Sequence, residues 1–107
     1  MPTSLRLPTH VDTARDVALE MAARRIPFLC TILMTAHFEV LLRWRDPGYD
    51  WWLGVTMELL SRCDAVFAIP GWETSNGATR EVEWARANDK PVFEDIDELS
   101  AWLALPA

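Results

Sequence analysis

The stretch "TSNGATREVEWARA", residues 74–87, concentrates the groups that can do chemistry. It carries a serine, a glycine and two carboxylates, and it follows the apolar run "DAVFAI" through a polar loop that begins "PGWE". A strand, a glycine-bearing loop and a helix in that order suit an anion. The first N–H groups of a helix lack intrahelical acceptors and carry the positive end of the helix dipole. Gly77 allows close backbone approach near the helix start, Ser75 adds a hydroxyl, and Asn76 is the expected helix cap. The stretch matches neither the dinucleotide glycine pattern nor the lysine-bearing P-loop.

Helical geometry separates the two carboxylates. Ala78, Val82 and Ala85 recur at i, i+4 and i+7 and define the face that packs on a sheet. At about 100° per residue, Glu81 lies about 60° from the centre of that stripe and Glu83 about 140° away. Glu81 is therefore the carboxylate that leans into a cleft above the strand ends, while Glu83 faces solvent. A plain strand–loop–helix joint with a solvated glutamate produces the same pattern, so the residues alone leave both readings open.

The elements that must position these groups follow from periodicity. "SLRL" reads as a short first strand, and "VDTARDVALEMAARR" as a helix with Ala14, Val17, Ala18 and Met21 on one face, capped by Asp12 or Thr13. "IPFLCTIL" is a continuous apolar run, as expected of a strand covered on both faces. "MTAHFEVLLRWRDPG" fits a short helix or an irregular excursion that Pro47-Gly48 ends. "YDWWLGVTMELLSRC" is the clearest helix, with Asp50 as its cap and Trp52, Val55, Thr56, Leu59 and Cys63 as its apolar stripe. Thr56 on that stripe needs a hydrogen-bond partner, and the carbonyl four residues back is the nearest. "DAVFAI" and "PVF" read as strands, and "DIDELSAWLAL" as a closing helix with Asp95 and Glu98 as a capping pair. Strands alternating with helices imply parallel βαβ units, so the expected class is α/β with a small doubly wound sheet. Ligands of such sheets sit at the carboxyl ends of the strands.

Bulk properties narrow the partners. With 107 residues, one domain spanning residues 1–107 is expected, and half of the residues are hydrophobic. The net charge is −6, with sixteen acidic against ten basic side chains and Lys90 as the single lysine. That balance disfavours a nucleic-acid polymer, which needs clustered Lys and Arg, but permits one phosphate held by N–H groups and an arginine. Cys30 and Cys63 sit in apolar settings without metal-ligand or redox spacing and read as reduced thiols. His10 and His37 have no ligand spacing either, so no metal and no cofactor is expected. The first ten residues lack a signal-like apolar core and no run is long enough to span a membrane, which suggests a cytoplasmic protein with no membrane partner. Six tryptophans in a short chain leave one or two exposed, with Trp51 and Trp72 the best candidates. A subunit interface explains them better than base stacking.

The residues "CDAVFAIPGW-x2-S-x-GA-x2-E", followed by "KPVF", resemble the nucleoside 2-deoxyribosyltransferase-like superfamily, in particular its small bacterial and phage members. The resemblance is good from Tyr49 to Phe93 and weak over "AARRIPFLCTILMTAHF". It implies a flavodoxin-like three-layer fold of about four parallel strands with a short or degenerate first strand. It also implies cleavage or exchange at the N-glycosidic bond of a nucleoside or nucleotide, in a homodimer or larger homo-oligomer. Glu81 matches the family's nucleophile, and Ser75 and Gly77 match its 5′-phosphate binders. Asp64 matches the start of the family's "D-A-V" strand, in a structural role. Thr56, Trp52, Trp72 and His10 would contribute to the pocket. In the transferase branch an aspartate stands where Ser75 stands here, so Ser75 tilts the expectation toward nucleotides. Two features depart from the family. Thr56 occupies the position of a common aspartate and cannot serve as a general acid, a loss of typically about 10²–10⁴ in rate. The first strand keeps only "LRLPTH" where members carry an aromatic and a tight turn. The alternative is a nucleotide-binding or oligomerising domain of the same fold with impaired catalysis.

Overall fold

Helices carry most of the described chain. The computed structural model describes residues 10–33 and 47–106, and the chain divides into two units, Met1–Arg43 and Trp44–Ala107. In the first unit, helix α1 spans His10–Ala23 and residues 31–33 are also helical. The second unit runs α2 (Tyr49–Ser61), β1 (Val66–Phe67), a 3-10 turn (Trp72–Thr74), α3 (Asn76–Ala87), β2 (Val92–Phe93) and α4 (Ile96–Leu103).

The apolar stripe of α1 is the one its spacing predicts. Ala14 and Met21 are buried two turns apart, and Val17 and Ala18 between them are half-buried. The expected caps, Asp12 and Thr13, lie instead inside the helix, which already includes His10. A cap needs extended backbone, and residues of the first turn do not have it. At the other end Arg25 adopts φ 57°. The N–H of Ile26 then reaches the carbonyl of Met21 at 2.9 Å and that of Arg25 reaches Ala22 at 3.0 Å. This is a Schellman closure with arginine in the place usual for glycine. Helix α3 ends the same way: Asp89 has φ 59°, and Lys90 N–H donates to the Ala85 carbonyl at 2.9 Å.

Among the described residues the expected flavodoxin-like α/β sheet of about four parallel strands is not formed. Among the described residues there is one sheet, of two parallel strands, with Val66 opposite Val92 and Phe67 opposite Phe93. The run "IPFLCTIL" is not a strand: residues 26–30 have no regular structure and 31–33 are helical. Phe28 and Leu29 are 42% and 55% exposed, so the double-sided burial that would hold a central strand is missing. A short apolar run signals a tendency to bury, without specifying strand or helix. "SLRL" and most of "MTAHFEVLLRWRDPG" lie outside the described residues.

Within the second unit one parallel βαβ element matches expectation: β1, the α3 crossover and β2. The ladder is flanked by Val66 N–H to the Pro91 carbonyl at 2.9 Å and Ala68 N–H to the Phe93 carbonyl at 2.8 Å. Pro70 and Gly71 follow β1 closely, and Asp95 caps α4 just after β2, so neither strand can lengthen at its carboxyl end. The core joins α2, β1 and α3 through Leu60, Val66 and Ala85, with Met57, Trp84 and Val92 packed against them. The buried line of α2 is Thr56 and Leu60, so the helix is turned slightly from the expected stripe of Trp52, Val55, Thr56, Leu59 and Cys63. Its N-cap is Gly48, at φ 97° and ψ 166°, and Asp50 sits in the first turn. Backbone at that φ suits glycine, which explains the displaced start. Helix α4 is capped as expected: the Asp95 carboxylate accepts from Asp97 N–H at 2.7 Å and Glu98 N–H at 3.4 Å.

Candidate functional site

The chain leaves β1 through Gly71, whose φ of 85° and ψ of 9° turn it into the 3-10 segment. Left-handed backbone of this kind favours glycine. Thr74 locks the turn by donating its hydroxyl to the Gly71 carbonyl at 2.8 Å. Ser75 then becomes extended, at φ −106° and ψ 122°, and caps α3 with its side chain accepting from Ala78 N–H at 3.2 Å. The cap is therefore Ser75, and the expected cap Asn76 is the first helical residue. The 3-10 turn decides this, because it ends one residue before Ser75 and leaves that residue the extended backbone a cap requires.

This arrangement leaves a defined set of donors. Ala78 N–H is taken by the Ser75 hydroxyl oxygen, and Thr79 N–H by the Ser75 carbonyl at 2.9 Å. The N–H groups of Asn76 and Gly77 precede the first intrahelical bond, so they have no acceptor within the helix. The Ser75 hydroxyl accepts from Ala78 while its own proton is available to an oxygen placed ahead of the helix. Gly77 has helical rather than left-handed backbone, since the positive-φ glycines are Gly48 and Gly71. A Cβ added there would meet only the Tyr49 hydroxyl, at 3.9 Å, an ordinary contact. Neither conformation nor crowding within the protein calls for glycine at this position.

Glu81 lies one turn beyond Gly77 on the same face of α3, about 6 Å further along the axis. It is half-buried, whereas Glu83 is exposed, which is the difference the helical wheel predicts. Val82 and Ala85 are 1% and 0% exposed and form the packed stripe. Two side chains beside the helix start escape sequence reasoning. Arg80 is exposed, and its guanidinium carbon lies 5.5 Å from the centre of the Tyr49 ring. Arg80 could have been found from its i+3 spacing to Gly77. Tyr49 comes from the far end of α2 and leaves no local signal. In a chain of net charge −6, an arginine here locally favours an anion.

The remaining expected pocket residues are placed differently. Thr56 is 8% exposed on α2, and no buried side-chain nitrogen or oxygen among the described residues lacks a hydrogen-bond partner. Trp52 is half-buried and meets exposed Trp51 edge to face, with ring centroids 4.9 Å apart. Trp72, expected on the surface, is half-buried and tied down: its indole N–H donates to the Glu94 carboxylate at 2.8 Å. His10 begins α1, and its side chain lies outside the described residues, as does His37. Asp64 is exposed ahead of β1. Among the described residues no group of three or more His, Cys, Asp or Glu could hold a metal ion, and no helix is long and apolar enough to cross a membrane.

The second unit is thus mostly helical and built on one parallel βαβ element, with a serine-capped helix start as its candidate site. A family model described as a domain of unknown function, DUF4406, matches residues 10–94, and the chain belongs to that family. No match is found among curated proteins or among solved structures.

Proposed function

We propose that this chain holds the phosphate of a nucleoside 5′-monophosphate at the start of α3 and cleaves its N-glycosidic bond with Glu81 as nucleophile. The observation that carries the reading is the half-burial of Glu81 one turn behind a helix start whose Ser75 cap leaves the Asn76 and Gly77 N–H groups open. A pentose 5′-phosphate spans that separation, with phosphate on the N–H groups and C1′ near the carboxylate. The resemblance of the residues from Cys63 to Glu81 to nucleoside 2-deoxyribosyltransferase-like enzymes supports the same assignment. In the first step a Glu81 oxygen bonds to C1′ as the C1′–N bond breaks. The base leaves with the bonding pair and takes a proton from water. Water then attacks the glycosyl ester, releasing sugar phosphate and restoring the carboxylate; in a transferase a second base replaces that water.

A binding domain without turnover is the second reading. It is favoured by the buried hydroxyl-bearing Thr56, which has no acidic proton to give a leaving base. Incubation of the protein with purine and pyrimidine nucleosides and 5′-monophosphates, followed by chromatography for free base, separates the two. Free base released by wild type and not by Glu81→Gln supports the enzyme. Nucleotide binding without base release supports the binding domain. Turnover that survives Glu81→Gln overturns the nucleophile assignment.

A further inference from the structure

We infer that Trp72 and Glu94 form a clamp that positions the start of α3, which makes both of them positioning residues for the phosphate end of the site. For its ligand this inference rests on the reading proposed above; for its mechanics it rests on hydrogen bonds alone. The Trp72 carbonyl accepts from Ser75 N–H at 3.0 Å and from the Thr79 hydroxyl at 3.3 Å. One peptide oxygen therefore fixes both the cap residue and the first turn of the helix. Trp72 N–H is in turn held by the Ile69 carbonyl at 3.1 Å, just beyond β1.

The side chain holds that oxygen in place. Its indole N–H donates to Glu94 at 2.8 Å, across the sheet and immediately after β2. The Arg86 guanidinium carbon lies 5.8 Å from the centre of the same ring, on α3 itself. Trp72 thus links the end of β1, the residue after β2 and two positions on α3. Donors that bind an anion must be held in place before it arrives, because ordering them on binding weakens affinity. Neither Trp72 nor Glu94 needs to touch the nucleotide: each acts through Ser75 and the open N–H groups behind it.

The test uses the full chain as wild type, Trp72→Phe, Glu94→Ala and Glu94→Gln. Backbone amide exchange is followed at Ser75 and Thr79, with Leu99 in α4 as reference. Loss of the indole bond should speed exchange at Ser75 and Thr79 about fivefold, the ratio expected for one net hydrogen bond. Leu99 should not change, and Glu94→Gln, which keeps an acceptor oxygen, should stay near wild type. Titration with deoxyadenosine 5′-monophosphate, read on the same amides, should show about fivefold weaker binding in Trp72→Phe and Glu94→Ala. Affinity should return in Glu94→Gln. Equal exchange or equal affinity in all four proteins overturns the clamp, as does acceleration that includes Leu99. A wild type that binds the nucleotide but releases no base ends the N-glycosidase reading and leaves the clamp to the exchange and affinity results. A wild type that binds no nucleotide overturns the reading above, while equal exchange in all four proteins overturns the clamp itself.

Discussion

Replacing Gly77 by alanine should make the protein more stable and the proposed phosphate site worse, which separates fold from function in one substitution. Gly77 has helical backbone and open space around a Cβ, with the Tyr49 hydroxyl 3.9 Å away. Gly54, exposed within α2, has nothing within 4 Å of its Cβ position and serves as control. Alanine in a helix interior is worth about 0.8–1 kcal/mol over glycine, so Gly54→Ala should raise the melting temperature by about 4–8 °C. Gly77 is in the first turn, where about half of that, or about 2–4 °C, is expected. At nucleotide equal to about ten times Kd, wild type gains about 1.4 kcal/mol, a further shift of about 6–11 °C. A methyl group at Gly77 that weakens binding tenfold leaves about 0.4 kcal/mol, or about 2–3 °C. Thermal melts with and without deoxyadenosine 5′-monophosphate measure all four numbers. A full ligand shift in Gly77→Ala would remove phosphate from this helix start. A lower melting point of the ligand-free variant would refute the packing argument, and a lost ligand shift in Gly54→Ala would show that the effect is not local.

Ser75→Ala should cost about 1 kcal/mol by removing the bond to Ala78 N–H, whereas Ser75→Asp should preserve stability, as aspartate caps equally well. The same aspartate repels phosphate, so binding of a 5′-monophosphate should fall at least tenfold while binding of the nucleoside is unchanged, as calorimetry would read. Val82→Ala removes two carbons from a site 1% exposed and should cost about 2 kcal/mol in urea denaturation, against less than about 0.5 for Glu83→Ala on the solvent face. Asp89→Gly relieves left-handed backbone at φ 59° in the closure of α3 and should stabilise by about 0.5–1 kcal/mol in the same assay.

Local sequence rules reached the start of α3 because the candidate site is local. Spacing distinguished Glu81 from Glu83 since both lie on one regular helix whose buried stripe is plain. It misplaced the cap by one residue because Ser75 and Asn76 are both good caps, and the choice is made by where the preceding 3-10 turn ends. The sheet was not legible in the same way. "IPFLCTIL" has the composition of a central strand, yet a strand exists only where neighbours supply hydrogen bonds and cover both faces, and that information is not in the run itself. Tyr49 and Trp72 illustrate the same limit on side chains. Tyr49 reaches Gly77 and Arg80 from another helix, and Trp72 finds Glu94 across the sheet, contacts with no periodic signature.

Covalent participation of Glu81 can be read from the mass of the peptide that bears it, after wild type is mixed with deoxyadenosine 5′-monophosphate and quenched in acid. Nucleophilic attack predicts that this peptide gains one deoxyribose 5-phosphate, that free adenine appears in step, and that Glu81→Gln shows neither. Adenine released without an adduct on Glu81, an adduct on another residue, or no adenine at all would contradict it.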